Sequence, residues 1–441
     1  MNSQSGKFTL ARGRFDLAFL LTLSVPALAA VSLAALGGCS SDDPPAPAQP
    51  PVAVAGGGAG GTAAGGTGGG GAGGDGGQAV GGGGSAGGGA AGQGGGAGGG
   101  PVFVGGLCGT GTNPACPTLL SETGLYSDIA AGTLAPGVME FQPTFALWTD
   151  SAAKKRWVQL PEGAQISTSA MDFWVYPVGT KLWKEFSRDG IRVETRILWK
   201  QISGAAGWYM MAFKWNEAQT DAVAMPDGEL DASGTAHDIP TQENCGTCHN
   251  KMSDRAIGFS AIQLAHGAEV PGLTLDQMVQ MGWLTDPPAA PITVPGTDVE
   301  KAAFGYLHAN CGMCHNERSS VFTTKVNDMN LWLHTEAQAN CPSCGDLATA
   351  QTTAPYLGLV NKATKKGNIL GATMRVVPGD LAASALYQVI NTRDAIPGVD
   401  PDMMMDVDGG VLSFQMPPLG TEITDPDGLA KISAWITSLP P

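Results

Sequence analysis

The chain has 441 residues and a formal net charge of −15, from 24 Lys and Arg against 39 Asp and Glu. This acidic balance argues against nucleic acid or an anionic lipid face as a partner, because both repel a negatively charged surface. Once a glycine-rich N-terminal stretch is set aside, about 340 residues remain, enough for two or three domains.

The N-terminus has the parts of a secretory signal. Three basic residues precede an uncharged apolar run, and residues 1–38 end in Leu-Gly-Gly before Cys39. This ending resembles a bacterial lipobox, which implies that Cys39 is lipidated and anchors the protein to a membrane surface. An uncleaved membrane helix is the alternative. We therefore predict an exported cell-envelope lipoprotein, located in the periplasm, at the outer membrane or at the cell surface.

Residues 39–101 are predicted to be a disordered tether that follows this anchor. The segment is first rich in Pro and Ala, and then consists almost entirely of Gly with Ala, Thr and Ser. Such a composition offers too little side chain to offset the entropy cost of ordering. A tether of this kind spans roughly 40 to 46 Å and lets the folded part stand away from its membrane.

The next part, residues 102–244, is predicted to be an antiparallel β-sandwich-like domain. Residues 191–200 and 208–215 alternate between the two faces of a strand, with apolar side chains on one of them. Shorter candidate strands at 156–160 and 172–176 are separated by turns that contain Pro and Gly. The tryptophans of this domain are expected mainly in its core, although a carbohydrate- or partner-binding aromatic face is an alternative.

Two copies of the pattern C-x-x-C-H carry the chemistry. They are Cys245-Gly246-Thr247-Cys248-His249 and Cys311-Gly312-Met313-Cys314-His315. Two thiols one helical turn apart can bind the vinyl groups of a haem, and the adjacent imidazole then reaches the iron. Zinc binding, a thioredoxin-like redox pair and a disulfide are the alternatives, but zinc sites lack the fixed His after the second Cys. We predict two covalently attached c-type haems, and such attachment outside the cytoplasm agrees with export.

Residues 245–290 form the predicted first haem module, with His249 as one iron ligand. A short apolar helix is expected at 260–266, and the capping box that begins at Thr274 predicts a second helix through Leu284. The ligand on the other side of the iron stays open. Met281 is weakly favoured, and the alternatives are Met278, His266 and His237.

Residues 291–441 are predicted to be a mainly α-helical module with the second haem. A capping box at Thr297 precedes a helical apolar stripe that runs to Cys311. At the other end, Asp425 can cap a helix whose first residue is Pro426. The two helices are expected to cross and to hold the haem beside them.

This second module resembles class I cytochrome c in the residues that follow the haem motif. The resemblance rests on Val377-Pro378-Gly379-Asp380 with Ser384, and on Gln415-Met416-Pro417-Pro418-Leu419-Gly420. It implies that Met416 is the sixth ligand of the second iron, opposite His315. Met403, Met404 and Met405 compete for this role, in a loop whose aspartates are a weak calcium candidate. The insertion at 319–370 departs from a minimal cytochrome domain.

A wider resemblance covers residues 120–441. Phrases at 121–125, 147–150 and 194–196 are similar to those of exported bacterial dihaem c-type cytochromes, in which a β-rich region precedes the haem part. The resemblance implies this domain plan and gives no activity for the β-rich region.

Four further cysteines lie outside the two motifs. Cys108, Cys116, Cys341 and Cys344 are predicted to form disulfides in an oxidising compartment, and the sequence leaves their pairing open. Cys341 and Cys344 form a third C-x-x-C, but Gly345 follows where an iron ligand would stand. This pair is therefore not an ordinary haem site.

The favoured function is electron transfer in the cell envelope, with redox proteins as partners and no catalytic residue assigned. A thioether ligand and burial both raise haem potential, and filled axial positions keep substrates off the iron. The first alternative is a peroxidase-like dihaem enzyme with an open distal position at the first haem. The second is a carbohydrate- or partner-binding β-domain fused to an electron-accepting cytochrome.

Overall fold

A computed structural model describes a large part of the chain, namely residue 108 and residues 116–325, 328–393, 413–418 and 420–441. The predicted signal, Cys39, the tether and the methionine run at 403–405 with its aspartates lie outside these residues. The described residues all belong to one compact unit. Within them, no helix is long and apolar enough to cross a membrane.

The fold is α+β overall, and its centre is an antiparallel sheet. The described residues contain eight strands, which are β1 (Tyr126–Asp128), β2 (Thr133–Leu134), β3 (Met139–Glu140), β4 (Ala153–Gln159), β5 (Lys181–Arg188), β6 (Ile191–Lys200), β7 (Trp208–Trp215) and β8 (Ala222–Ala224). Strands β3 to β8 pair in chain order as one six-stranded sheet, while β1 and β2 form a separate pair. Each strand of this sheet therefore lies beside its neighbours in sequence.

The strands with the clearest alternation in sequence are the ones at the centre of the sheet. β6 and β7 have the predicted bounds, and the candidate at 156–160 overlaps β4. The turn between β5 and β6 is Asp189-Gly190, and both residues have positive φ, 51° and 82°. That conformation suits a two-residue hairpin, for which Asp-Gly is a favoured pair. The strand predicted at 172–176 was wrong, since only an isolated bridge from Ser167 to Val175 forms there.

The two faces of the sheet are covered by different parts of the chain. On one face, the aromatic residues Trp157, Trp183, Phe213 and Trp215 pack against Leu120 and other residues of the segment before β3. On the opposite face, residues that follow the sheet in sequence build part of the core. They are Phe259, Leu264, Leu275 and Met278, and they share this core with Val158, Leu182 and Trp208 of the sheet. A sandwich-like pair of large sheets is therefore not what the described residues form. The layers over the six-stranded sheet are helices, turns and the small β1–β2 pair.

Eight α-helices occur in the described residues, and most are short. They are α1 (Cys245–His249), α2 (Ala261–Leu264), α3 (Leu275–Gln280), α4 (Asp298–Asn310), α5 (Ser320–Thr324), α6 (Ala354–Leu359), α7 (Ala385–Asn391) and α8 (Pro426–Ser438). The predicted capping boxes at Thr274 and Thr297 are present, and Asp425 accepts a hydrogen bond from Gly428 N–H at 2.9 Å. These caps satisfy backbone donors that the first helical turn leaves unpaired.

The two longest helices cross, as the capping and stripe pattern predicted. Phe304 of α4 and Trp435 of α8 meet edge to face with ring centroids 5.4 Å apart. Gly428 of α8 lies so close to Tyr306 that an added Cβ would come within 2.2 Å of the ring. This core also includes Leu359 of α6 and Ile390 of α7.

The structure pairs the remaining cysteines locally. Cys108 is bonded to Cys116, and Cys341 is bonded to Cys344. This is one of the three combinations that the sequence left open.

Candidate functional site

The first C-x-x-C-H motif forms α1, a single helical turn. The ring nitrogen Nδ1 of His249 donates a hydrogen bond of 2.5 Å to the backbone carbonyl of Arg255. Because Nδ1 carries the proton, Nε2 is left with a lone pair that suits a metal. Burial is the main cause that lowers the pKa of His249 to about 4, and nearby Lys184 and Arg196 lower it further. A neutral imidazole with a fixed ring is what an iron ligand requires.

The loop that supplies this carbonyl is held by a buried network around Asp254. Its carboxylate contacts Lys200 Nζ at 2.5 Å and accepts hydrogen bonds from Trp208 Nε1 at 2.9 Å and Tyr176 N–H at 2.7 Å. The side chains of Lys200 and Asp254 are only 1% and 4% exposed. Arg255 has φ of 57°, which a residue with a side chain rarely adopts unless its surroundings impose it. The network therefore fixes the carbonyl that orients His249.

Three cations from neighbouring strands lie in one row of the sheet beside the first motif. Arg156 pairs with Lys184 across β4 and β5, and Lys184 pairs with Arg196 across β5 and β6. Burial, followed by repulsion from Arg156 and Arg196, lowers the pKa of Lys184 well below its usual range. We call Arg156, Lys184 and Arg196 the cation row.

Positive charge exceeds negative charge in the cation row. Arg196 is paired with Glu194, and Arg156 donates to the uncharged amide of Gln142 at 3.0 Å. Among the described residues, Lys184 Nζ has no carboxylate partner and lies 4.8 Å from the centre of the Phe186 ring. Like charges directly opposite each other destabilise a sheet, so an anionic group that binds beside them relieves the repulsion.

The second C-x-x-C-H motif begins at the C-terminal end of α4. Burial raises the pKa of the Cys311 thiol to about 12, and burial followed by the charge of Arg375 lowers the pKa of His315 to about 4. Gly312 has no room for a side chain, because an added Cβ would lie 2.7 Å from the His308 carbonyl oxygen. His315 Nδ1 is buried and has no hydrogen-bond partner among the described residues. Its ring orientation is therefore less constrained than that of His249.

The two motifs meet in one apolar cluster. Its buried members are Phe173, Met252, Met313 and Trp332, and the partly buried members are Leu147, Cys248, Ile257 and Cys314. We call this set the bridging cluster. It contains one cysteine of each motif, although the motifs are far apart in sequence.

Two polar contacts join the residues that directly follow the motifs. Asn316 Nδ2 lies 3.9 Å from Met252 Sδ and donates to the carbonyl oxygens of Gly312 and Met313 at 2.9 Å each. Lys251 Nζ donates to Ser320 Oγ at 2.9 Å. The structure thus brings the two predicted haem sites side by side.

The residues at both motifs fit the attachment chemistry of a c-type haem. The two disulfides of the described residues use the other four cysteines, and the motif cysteines take part in neither. Each motif adds a partly buried imidazole, and the bridging cluster adds aromatic and thioether side chains. The cation row suits the carboxylates of a porphyrin. The fit is better at the first motif, where the ring orientation of the histidine is fixed.

Met416, the predicted sixth ligand of the second site, lies in a loop bound to α7. Its backbone N–H donates to the Val389 carbonyl at 3.0 Å, and its peptide bond to Pro417 is cis. The side chain is partly buried. Because α7 packs against α8 in the core that also holds α4, the loop belongs to the module of the second motif. Its role as a ligand stays a prediction.

The candidates for the sixth ligand of the first site lie in other surroundings. Met281 follows α3 and is 42% exposed, while Met278 is fully buried in the core beside the sheet. His266 Nε2 is 3.0 Å from the Gln142 carbonyl, and His237 Nε2 is 2.7 Å from Glu194. None of the four belongs to the bridging cluster, so the distal ligand at the first motif stays unassigned.

Some site residues had no detectable signal in the sequence. Lys184 and Asp254 belong to no sequence motif, and only the strand register and the path of the loop bring them to the first motif. His308 sits seven residues before His315, and its Nδ1 accepts a hydrogen bond from Leu333 N–H at 3.1 Å. The proton of this neutral imidazole is therefore on Nε2, which rules His308 out as an iron ligand in this arrangement.

Comparison of the chain with protein-family models, with curated proteins and with solved structures finds no match in any of the three. The site residues and their geometry are therefore the basis for a functional conclusion.

Proposed function

We propose that the chain is a dihaem c-type cytochrome that transfers electrons between redox proteins in the cell envelope. The observation that carries the proposal is the bridging cluster, in which Cys248 of one C-x-x-C-H motif and Cys314 of the other share one apolar core. A haem bound covalently at each motif supplies a one-electron redox centre. Two such centres side by side allow electrons to pass from one to the other through the protein, which two distant sites would not.

The surroundings of each motif support this role. His249 is held by the Arg255 carbonyl, so little reorientation of the ring accompanies a change of charge. Apolar side chains at the bridging cluster limit the access of water, which favours a raised potential. His315 and Met416 would hold the iron of the second haem, in a proposed class I cytochrome c-like module that contains the crossing of α4 and α8.

The location is part of the proposal. Residues 1–38 serve as the export signal, Cys39 carries the lipid anchor, and residues 39–101 tether the folded part. Covalent haem attachment and two disulfides both suit a compartment outside the cytoplasm. The protein then works at a membrane surface, in the periplasm or on the cell exterior.

The test is a pair of double variants of the full-length protein, matured in a bacterial host that attaches haem to exported proteins. Cys245→Ala/Cys248→Ala and Cys311→Ala/Cys314→Ala are each expected to retain one haem, against two in the natural chain. Pyridine haemochrome spectra of the purified proteins count the haems. Cys108→Ala/Cys116→Ala is the matched control and should retain both. A natural chain with no haem contradicts the proposal.

A peroxidase-like enzyme is the second candidate, and one observation favours it. None of Met281, Met278, His266 and His237 belongs to the bridging cluster, which leaves the first centre without an assigned sixth ligand. Addition of carbon monoxide to the reduced protein separates the two functions. A carrier with filled axial positions leaves the spectrum unchanged, whereas an open site gives a carbon monoxide adduct.

Carbohydrate binding by the β-rich region has less support. Trp157, Trp174, Trp183, Trp208 and Trp215 are all buried at 5% exposure or less. Their packing accounts for them as core residues.

A further inference from the structure

A cluster of metal-ligating side chains lies outside both C-x-x-C-H motifs, and it combines Glu317, just after the second motif, with two residues of the insertion at 319–370. The ligand atoms of Glu317, His334 and Cys344 all lie within 4.8 Å of one another. His334 and Cys344 are fully or almost fully buried, and Glu317 is partly buried. Carboxylate, imidazole and thiolate are all ligands of zinc.

The imidazole of His334 is oriented as a metal ligand usually is. Its Nδ1 lies 3.3 Å from Asp172 Oδ2, and its Nε2 lies 3.3 Å from Glu317 Oε2. Asp172 is held in turn by the N–H and the hydroxyl of Thr335, at 2.8 and 2.9 Å. In zinc sites, a ligating histidine usually donates a hydrogen bond from one ring nitrogen to a carboxylate and binds the metal through the other nitrogen.

A single amide group occupies the middle of this cluster. Asn330 Nδ2 lies 2.9 Å from Glu317 Oε2, 3.2 Å from His334 Nε2 and 3.2 Å from Cys344 Sγ. Both ring nitrogens of His334 face carboxylate oxygens, which only accept, so Nε2 donates to Glu317 and does not accept from Asn330. The two amide hydrogens of Asn330 are left for Glu317 Oε2 and Cys344 Sγ. A cation at this place satisfies all three at once, after the Asn330 side chain turns aside.

The third C-x-x-C adds Cys341 as a further ligand, on the condition that its disulfide with Cys344 is reduced. Cys344 is bonded to the partly exposed Cys341, and a disulfide sulfur is not a thiolate ligand. Reduction frees two thiols three positions apart, the spacing found in many structural zinc sites. Cys341, Cys344, His334 and Glu317 then make four ligands for a tetrahedral ion.

We propose that reduction of the Cys341–Cys344 disulfide opens a zinc site formed by these two cysteines with His334 and Glu317. A dithiol reductant gives the disulfide two electrons and two protons, and is itself oxidised to a disulfide. Zn²⁺ then displaces the two thiol protons and the Nε2 proton of His334, and binds the two thiolates, the neutral imidazole and the Glu317 carboxylate. The oxidised bond keeps the site closed, so metal binding depends on the redox state of this pair.

Zinc content before and after reduction tests the proposal on the full-length matured protein. A phosphine replaces the dithiol as reductant, because dithiols bind zinc themselves. After anaerobic incubation with zinc sulfate and gel filtration, mass spectrometry of the metal is expected to find one more zinc per chain in the reduced protein than in the oxidised one. X-ray absorption at the zinc edge should show sulfur at about 2.3 Å and lighter ligands at about 2.0–2.2 Å.

Variants show whether these residues hold the metal. Cys341→Ser/Cys344→Ser is expected to lose the additional zinc, and Cys108→Ser/Cys116→Ser, which removes the other disulfide, is expected to keep it. Asp172→Asn should weaken zinc binding 10- to 100-fold without removing a ligand, which keeps the test informative where a ligand variant fails to fold.

Three results would overturn the proposal. They are equal zinc content in the oxidised and reduced natural chain, unchanged zinc in Cys341→Ser/Cys344→Ser, and a zinc spectrum without a sulfur shell. If the two C-x-x-C-H motifs carried no haem, their thiols would bind zinc equally in the natural chain and in Cys341→Ser/Cys344→Ser. The difference between the natural chain and the double variant therefore reports on this site alone.

Discussion

At the scale of single residues, the orientation of His249 depends on groups that never touch its ring. Its Nδ1 proton goes to the Arg255 carbonyl, and Arg255 keeps an unfavourable backbone conformation because Asp254 beside it is bound to β6 and β7. Lys200 and Trp208 thus position His249, the proposed iron ligand of the first site, through the loop that contains Asp254 and Arg255.

Asp254→Asn is expected to be strongly destabilising. The substitution removes the charge that pairs with buried Lys200, and loss of one partner of a buried ion pair costs about 3–5 kcal/mol. Urea denaturation followed by tryptophan fluorescence measures the change. Asp227→Asn, at an exposed turn, is the matched control and should alter the free energy of unfolding by less than about 0.5 kcal/mol. A small effect at Asp254 would show that the network does not hold the loop.

Lys184→Gln is expected to lower the reduction potential of the first haem. An anionic group bound beside the cation row would keep the partly buried Lys184 charged. This charge favours the reduced form of the iron, which carries one positive charge fewer, so its removal favours the oxidised form by an energy on the order of 1 kcal/mol. Potentiometric titration of the matured protein measures the shift. Lys155→Gln, an exposed lysine on β4, is the control and should leave the potential unchanged. An unchanged potential in Lys184→Gln would place the cation row away from the first haem.

At the scale of elements, close approach between α4 and α8 depends on a residue without a side chain. The ring of Tyr306 occupies the space where a Cβ of Gly428 would be, and Phe304 meets Trp435 nearby. Gly305 of α4 is similarly covered by the ring of Phe145, which comes from the connection between β3 and β4. The helix pair is therefore packed against the β-rich part as well as against itself.

Gly428→Ala is expected to destabilise the protein although alanine favours a helix. The added methyl group overlaps the buried Tyr306 ring, and overpacking of this kind costs about 1–3 kcal/mol. Thermal unfolding followed by circular dichroism measures the loss. Ala430→Leu adds more volume to the exposed side of the same helix and should be nearly neutral. If Gly428→Ala raised the melting temperature, helix propensity would outweigh the contact.

The elements that sequence predicts best are those whose signals are local. Capping residues identified the starts of α3, α4 and α8, and strict alternation gave the bounds of β6 and β7. The alternation of apolar and charged residues also identified the apolar face of β6, but it could not predict which residues cover the other face. Glu194 and Lys200 on that face are buried, because His237 pairs with Glu194 and Asp254 pairs with Lys200. Contacts over such long stretches of sequence leave no local pattern.

At the scale of the whole molecule, the β-rich part and the two C-x-x-C-H motifs share their cores. Residues 254–284 pack on the sheet, and Phe173 from the connection between β4 and β5 lies in the bridging cluster with a cysteine of each motif. The spacing within each motif predicts haem attachment, but it could not predict that the two motifs lie close together, since this depends on the fold of the chain between them. The β-rich part therefore acts as the frame on which the two sites are brought together.

The intact mass of the denatured protein, matured in a bacterial host that attaches haem to exported chains, tests the central claim most directly. Thioether bonds survive denaturation, so two covalent haems are expected to raise the mass above that of the polypeptide by two porphyrin groups with their iron. A mass equal to that of the bare chain, or to the chain with zinc alone, would contradict the assignment of both motifs.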